Sequence, residues 1–189
     1  MKLQVKSQLP HIEKGMILDD CGPSSAAAAA SWVHGYNKNF TALDGINAAA
    51  AAGRVDKDGR ADGTNFSDLS KALKRMGCNS GHPVDWGNVI LAGKRGKAII
   101  VNVQAPVGYP AHALEVNAFA KKLKKSGMSW GHMVCVAFHP EVGWQLADPT
   151  MKGRGKEKFG VVISESEFRA IASSKGDAPF KRCLIVRKA

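Results

Sequence analysis

The sequence contains no long hydrophobic run and no segment typical of a secretory signal. No apolar stretch approaches the ~20 residues that a membrane-spanning helix needs, so we expect no membrane span. The first residues, MKLQVKSQLPHIEKG, lack an apolar core and a small-residue cleavage site, which predicts synthesis in the cytoplasm without a signal peptide. Aromatic residues make up only 7% of the chain, and no helix-turn-helix, zinc-finger or aromatic RNA-binding signature occurs, so nucleic acid is a disfavoured partner.

Cysteine is scarce, and its spacing excludes two common uses. The four cysteines are Cys21, Cys78, Cys135 and Cys183, and no two of them form a Cys-x-x-Cys pair, which argues against a zinc ribbon and a disulfide framework. Cys135 lies in the apolar run MVCVAF and Cys183 in CLIV. We therefore expect these two cysteines and Cys78 to be core residues, in a chain that suits a reducing compartment.

Acidic residues are also few. The chain has 16 acidic and 27 basic residues, a formal net charge of +11, which predicts attraction to a polyanion such as nucleic acid, anionic lipid or an anionic cell-wall polymer. The densest basic patch, KKLKK at 121–125, is better interpreted as the solvated face of a helix. Asp56, Asp58 and Asp62 do not make a calcium loop, because the sixth position counted from Asp56 is Ala61 rather than glycine. A polar surface loop is expected there.

Hydrophobic periodicity divides the 189 residues, which we expect to form one domain, into helices followed by antiparallel strands. The predicted helices cover 21–35, 41–52, 67–77, 86–92, 112–126 and 164–174, and Thr64 or Ser67 is expected to cap the third. The predicted strands cover 98–104, 131–138, 144–149, 159–164 and 182–188, of which the second and third form a hairpin. This order is typical of an α+β fold.

The stretch DDCGPSSAAAAASWVHG, residues 19–35, places Cys21 at the start of a helix that we expect to be buried. Gly22 and Pro23 suit the entry to a helix, and the alanine run that follows favours helix strongly. Backbone N–H groups and the helix dipole at this end favour an anion, so they would stabilise the Cys21 thiolate and a developing oxyanion. The alternative is a structural cysteine, which is the commoner use of this residue.

His132 and Asp148 are the candidate partners of Cys21. His132 opens the first strand of the predicted hairpin and Asp148 closes the second, so the turn should return Asp148 to within a residue or two of His132. The carboxylate would then fix the imidazole tautomer while the other ring nitrogen faces Cys21. A zinc site from these residues and His139 is a weaker alternative, because the hairpin would have to bend His139 back.

A set of motifs resembles the papain-like cysteine peptidases. The motifs are SQLP, DDCGPSS, GTNFSDLSKALKRMG, GKAIIVNV, GHMVCVAF and LADPT, and they span the chain from about Gln8 to Phe168. Within that family the sequence is most similar to the peptidases that process double-glycine leaders and to their stand-alone relatives. The resemblance implies a fold in which N-terminal helices pack on a C-terminal antiparallel sheet, and a site without metal or cofactor.

The resemblance also implies roles for individual residues. Cys21 would be the nucleophile, His132 the general base and later acid, and Asp148 the acid that orients His132. Gln8, in Gln-x-Pro ahead of the cysteine, would complete an oxyanion hole with the Cys21 N–H. The segment between Gln8 and Cys21 is longer than such proteins often have, so an aspartate at 19–20 is the alternative polar neighbour.

The function implied is thiol-dependent hydrolysis of a peptide bond. Similar stand-alone domains occur in bacteriophage and bacterial lysins, which cut peptidoglycan, and the net charge of +11 suits an anionic cell wall. We therefore predict an enzyme that cuts peptide bonds of peptidoglycan after release to the wall. The alternatives are processing of a protein or leader peptide, acyl transfer by the same residues, and a catalytically silent basic domain that binds an anionic polymer.

Overall fold

The computed structural model of the chain describes residues 1–8, 20–53, 56–57, 60–61, 64–155, 158–176 and 178–189. Its helices are α1 (Cys21–Val33), α2 (Ala42–Ala51), α3 (Phe66–Arg75), α4 (Trp86–Lys94), α5 (Ala111–Val116), α6 (Ala118–Lys125) and α7 (Glu165–Ala172), with 3-10 turns at Ser173–Lys175 and Pro179–Arg182. Its strands are β1 (Asp56–Lys57), β2 (Arg60–Ala61), β3 (Cys78–Gly81), β4 (Ala98–Ala105), β5 (Trp130–His139), β6 (Gly143–Ala147), β7 (Val161–Ile163) and β8 (Cys183–Lys188).

Six strands form one antiparallel sheet in the order β3-β8-β4-β5-β6-β7. α1 covers one face, where its alanines pack with Ile100 and Met133. α4 and α7 cover the other face, where Phe168 packs with Val101 and Val134. Successive residues of a strand point to opposite faces, so β4 and β5 supply both cores. The expected α+β architecture, with helices packed on an antiparallel sheet, is confirmed.

α1 is buried along almost its whole length because its side chains are small. The alanines of 26–30 are all buried, and α2 crosses α1 so closely that a Cβ at Gly45 would stand 2.2 Å from the Pro23 carbonyl oxygen. The Ser25 hydroxyl donates to the Met133 carbonyl at 3.0 Å, which holds the helix against β5. These contacts place the start of α1 beside the start of β5.

The helix predicted over 112–126 is in fact two helices, α5 and α6. The break falls at Asn117, whose φ of −117° and ψ of 88° lie outside the helical region. Its side-chain Oδ1 accepts the Ala120 N–H at 2.9 Å and so caps α6. The lysines of 121–125 are exposed, as expected for a solvated helix face. The amphipathic pattern therefore holds within α5 and within α6. The break between them at Asn117 is not part of this pattern.

Some local expectations are wrong. α3 is capped by the side chain of Asn65 rather than by Thr64 or Ser67. The segment CNSG was not expected to be a strand, but it pairs with β8 as β3 because β8 offers it an edge. The strand predicted over 159–164 is shorter than expected and is limited to β7, which pairs with β6.

Three of the cysteines are core residues, as their neighbours in the sequence predict. Cys78, Cys135 and Cys183 are buried, and none of them is in a disulfide. His34 corrects another expectation, since its place near a helix end predicts a surface residue. It is buried, and its Nε2 is hydrogen-bonded to the Met76 carbonyl at 3.1 Å.

The polar surface loop predicted over 54–65 falls partly outside the described residues, which include neither Asp58 nor Asp62. Within it, β1 and β2 form a short antiparallel pair separate from the main sheet. None of the described helices has the length and apolar character that crossing a membrane requires.

Candidate active site

The thiol of Cys21 stands at the N-terminal end of α1, which begins at this residue. Cys21 is half-buried, whereas the helix residues from Gly22 to Trp32 are all buried. The side chain of Asp20, the N-cap residue, forms no capping hydrogen bond to the first turn, and Pro23 has no N–H of its own. The remaining first-turn N–H groups therefore lie close to the sulfur, where they and the helix dipole favour a negative charge.

The hairpin of β5 and β6 brings His132 and Asp148 into contact. The two strands pair as far as Cys135 and Ala147, so Asp148 follows the last paired residue and lies diagonally across from His132 on the same face. His132 Nε2 and Asp148 Oδ1 are 2.8 Å apart, and the exposed fractions of the two residues are 2% and 1%. Because a carboxylate only accepts, Nε2 carries the proton of this bond.

The other imidazole nitrogen, Nδ1, is left for Cys21. It is buried and has no hydrogen-bond partner of ordinary geometry among the described residues. Burial disfavours the charged imidazole, yet Asp148 and then Cys21, the latter partly by a hydrogen bond, raise the pKa of His132 from 6.5 to about 10. Cys21 is therefore close enough to His132 to act on its charge, although Nδ1 has no hydrogen bond of ordinary geometry among the described residues.

Asp148 is held by donors on both carboxylate oxygens. Tyr109 donates its hydroxyl to Oδ2 at 2.7 Å, and Thr150 donates its backbone N–H and its hydroxyl to Oδ1 at 2.8 and 2.7 Å. Asn117 holds Thr150 in turn, because its Nδ2 donates to Thr150 Oγ1 at 3.0 Å. Hydrogen bonds to an ionised group are about twice as strong as neutral ones, so these contacts fix the orientation of the carboxylate.

Sequence reasoning missed Tyr109, Asn117 and Thr150. A signal for Thr150 exists in LADPT, since an aspartate often accepts a hydrogen bond from the backbone two residues later. A signal for Asn117 exists too, because asparagine is a poor residue inside a helix and a good cap. Tyr109 has no local signal, since its partner lies 39 positions along the chain.

Gln8 lies beside the segment that carries Asp148. Its backbone N–H donates to the Pro149 carbonyl at 2.9 Å. Its side chain is buried, and neither amide atom has a hydrogen-bond partner among the described residues. A buried amide without a partner is costly, so this group is available to a ligand. Of the alternative aspartates, Asp20 is the N-cap residue of α1, and Asp19 lies outside the described residues.

Aromatic rings pack around the buried pair. Trp130 meets the His132 ring edge to face, with 5.8 Å between the centroids. Phe119 meets Trp130 in the same way at 5.3 Å. Rings in these positions keep water from the imidazole, and a lower local dielectric strengthens the interaction between His132 and Asp148.

His139 is not brought to this site. It lies at the far end of β5, paired with Gly143, and its Nε2 is 2.7 Å from the amino nitrogen of Met1. Among the residues that the structure describes, no group of three or more His, Cys, Asp or Glu side chains is arranged to hold a metal ion. The zinc alternative that joins His139 to His132 therefore has no geometric support.

The surroundings of His132 and Asp148 favour the charged form of each group. Burial alone would raise the pKa of Asp148, but His132 and the donors of Thr150 outweigh burial and lower it below 3.8. His132 has the opposite shift, upward from 6.5. A carboxyl with a lowered pKa beside an imidazole with a raised pKa forms an ion pair once the imidazole takes up a second proton, at Nδ1.

Comparison with known proteins identifies the fold. No family model matches the chain, and no curated protein sequence matches it. A solved structure that does is the peptidase domain of Streptococcus ComA, a bifunctional ABC transporter involved in a quorum-sensing pathway, with a TM-score of 0.50 and 14% identity over 97% of this chain and 96% of that one. Another is a C39-like peptidase from Bacillus anthracis, with a TM-score of 0.56 and 14% identity over 97% of this chain and 93% of that one. The fold is therefore papain-like, of the kind found in C39 peptidase domains, as expected.

Removing the negative charge of Asp148 tests the ion pair. We expect Asp148→Asn to lower the free energy of unfolding by about 3–5 kcal/mol near pH 7, because it leaves a buried imidazole without its counter-charge. The Asp148 contribution is present above 3.8 and is lost as the pH falls through its lowered folded pKa. The His132 contribution is present below 6.5 and is lost as the pH rises through about 10. Urea unfolding across both limits measures the difference.

A matched control for this prediction is Glu115→Gln, which removes a carboxylate from an exposed position of α5. It should change the free energy of unfolding by less than about 0.5 kcal/mol at every pH. If the free energy of unfolding of the wild type exceeds that of Asp148→Asn by the same amount from acid to alkaline pH, the ion pair is contradicted.

Proposed function

We propose that the chain is a cysteine peptidase in which Cys21, His132 and Asp148 act together on a peptide bond. The observation that carries the proposal is the 2.8 Å bond between His132 Nε2 and Asp148 Oδ1, because it leaves only Nδ1 to take a proton from Cys21. The papain-like fold supports the proposal, since two peptidase domains share it.

The first step is transfer of a proton from the Cys21 thiol to Nδ1 of His132. It creates a thiolate and an imidazolium side by side, so their charges stabilise each other. Asp148 stabilises the positive ring and keeps it in place. The first-turn N–H groups of α1 stabilise the sulfur anion.

The thiolate then attacks the carbonyl carbon of the scissile bond, and the carbonyl oxygen becomes an oxyanion. The Cys21 N–H and the side-chain amide of Gln8 donate to this oxygen. His132 gives its Nδ1 proton to the leaving nitrogen as the C–N bond breaks, and the acyl group stays on the sulfur. Water, deprotonated by His132, releases the acid and restores the thiol.

The proposed substrate is the peptide part of peptidoglycan. The net charge of +11 supports it, because an anionic wall attracts a basic enzyme. A protein or leader peptide is the alternative substrate, and an amine in place of water would make the protein an acyl transferase. Incubation with peptidoglycan, with peptides and with an added amine, followed by mass spectrometry of the new termini, distinguishes these outcomes.

The nucleophile is tested by Cys21→Ala. We expect loss of at least about 1,000-fold in turnover, because the thiolate is the attacking group, with little change in the melting temperature. In the native wild type, iodoacetamide should label Cys21 well before Cys78, Cys135 and Cys183, since these three are buried and burial raises the pKa of each. Peptide mapping measures the labelling.

The buried cysteines serve as internal controls for this labelling. Equal slow modification of all four thiols, or turnover that survives in Cys21→Ala, would contradict the proposal.

The oxyanion role of Gln8 is tested by Gln8→Met, which keeps the side-chain volume. We expect kcat to fall about 100-fold with little change in KM, because the oxyanion forms only in the transition state. The melting temperature should not fall, since the Gln8 amide makes no hydrogen bond to a described residue. The matched control is Gln145→Met. It should lower the melting temperature and leave kcat unchanged, because the Gln145 side chain accepts the Leu3 N–H at 2.9 Å. An unchanged kcat in Gln8→Met would contradict the oxyanion role of Gln8 and leave Asp19 or Asp20 as the alternative polar neighbour.

A second candidate function, binding of an anionic polymer, is favoured by one surface feature. A groove of about 270 Å³ lies between α4, β3 and β8, and Arg95, Lys97 and Arg187 line it. No ion pair joins these three cations to a residue of the part that the structure describes. The groove lies at the opposite end of β4 from Val103, which pairs with His132. It can therefore hold a polyanion without blocking the proposed site.

Replacing the three groove cations by glutamine tests this function. We expect wild-type binding to poly-glutamate to fall steeply with salt, and the triple variant to bind about tenfold more weakly with a shallower salt dependence. The matched control removes three of the exposed lysines of 121–125 and should weaken binding less. Binding without turnover of any peptide by the wild type would favour a silent binding domain over a peptidase.

A further inference from the structure

The ammonium group of Lys175 lies against the start of β5, the strand that carries His132. Its Nζ donates to Asn102 Oδ1 at 2.7 Å. The same atom lies 2.9 Å from the point where a Cβ at Gly131 would stand, so it occupies the space that a side chain there would take. Gly131 directly precedes His132 and is exposed. The cation therefore lies beside the backbone of β5 at the residue that precedes His132.

The turn that carries Lys175 is fixed to the sheet. β8 pairs with β4 only as far as Val101, which leaves the last part of β4 without a strand on that side. The Ser174 hydroxyl binds to this edge by accepting the Gln104 N–H at 2.7 Å. Arg182 donates from Nη2 to the Lys175 carbonyl at 3.4 Å. These bonds hold the backbone of Lys175, so its position over Gly131 is a property of the fold.

Lys175 carries a charge that the described residues do not neutralise. It is half-buried, and neither it nor Arg182 forms an ion pair with an acidic side chain in the described part of the chain. Burial and then Arg182 lower the pKa of Lys175, while Cys21 acts in the opposite direction. The thiol is thus within electrostatic range of Nζ. A half-buried cation without a counter-charge is unfavourable, and an anionic group of a ligand would relieve this cost.

We propose that Lys175, with Arg182 behind it, binds a carboxylate of the substrate close to the scissile bond. The inference rests on the proposed function, because it takes the bond that Cys21 attacks as its point of reference. The substrate class is a peptide with a free carboxylate next to the cut, from an acidic side chain or from a main-chain terminus. Asn102 positions the ammonium through a neutral oxygen, so the positive charge stays available.

A different role for Lys175, stabilising the Cys21 thiolate, predicts different chemistry. Iodoacetate and iodoacetamide both alkylate a thiolate by displacing iodide, but only iodoacetate carries a carboxylate. Recognition of a carboxylate changes the ratio of the two rates. Stabilisation of the thiolate changes both rates by the same factor.

The experiment compares Cys21 alkylation in the wild type and in Lys175→Met. We expect the iodoacetate-to-iodoacetamide rate ratio to fall about three- to tenfold, as for loss of one partly exposed charge pair. Lys175→Arg should keep most of the ratio, because it keeps the charge. The melting temperature of Lys175→Met should be equal or higher, since an uncompensated cation is removed. Lys74→Met, at an exposed position of α3, is the matched control and should leave the ratio unchanged.

An unchanged ratio in Lys175→Met overturns the inference, and so does an equal loss of both rates. Neither of the two alkylation rates requires hydrolysis to be measured. The inference and the peptidase proposal can therefore fail separately. Where hydrolysis is measured, peptides with glutamate, glutamine or a free C-terminal carboxylate beside the cut identify the source of the anionic group. The KM of at least one carboxylate-bearing peptide should rise in Lys175→Met while that of the glutamine peptide stays the same. Equal KM values for all three in both proteins overturn the inference.

Discussion

The buried charge pair of His132 and Asp148 is the interaction on which the rest of the site depends. An ion pair in an apolar interior is tolerated only where its remaining hydrogen-bonding atoms are satisfied. Tyr109 and Thr150 satisfy the carboxylate, and Asp148 satisfies one ring nitrogen. Only Nδ1 of the imidazole is left open within the described residues, and Cys21 is among the groups that raise the pKa of His132. The packing thus leaves Nδ1 as the one hydrogen-bonding atom of the pair without a partner among the described residues. A proton can be exchanged at this atom.

Core packing sets the separation between sulfur and imidazole. α1 and β5 are distant in sequence and meet because the alanines of 26–30 let the helix lie close to the sheet. The bond from Ser25 to Met133 fixes the helix along the strand. A larger side chain on the buried face of α1 would lift the helix, and with it Cys21, away from His132. The geometry of the site is therefore a consequence of small residues that never touch a substrate.

The parts of the fold that follow from local rules were predictable. The Gly-Pro entry and the alanine run predict α1, and the turn at 140–143 predicts the hairpin that brings Asp148 back to His132. The papain-like architecture was predictable from the resemblance of the motifs. The roles of Cys21, His132, Asp148 and Gln8 remain predictions, as does the single domain over 1–189.

The features that sequence did not predict depend on distant partners. The break at Asn117 serves Thr150, which lies 33 positions along the chain. β3 has weak strand character of its own and forms because β8 pairs with it. The place of Lys175 over Gly131 depends on where β8 begins, and no local pattern reports this. In each case the deciding contact is formed only after the chain has folded.

Asn117 does two tasks with one short side chain, since its amide oxygen caps α6 and its amide nitrogen holds Thr150. Serine or aspartate could serve as the cap, but neither could also supply the second bond in this geometry, and glutamine would place the amide one methylene too far away. Substitutions should therefore be tolerated unequally at different positions along α6. The exposed lysines of α6 are free to change. Asn117, which caps this helix, is constrained because it holds Thr150, a donor to the Asp148 carboxylate.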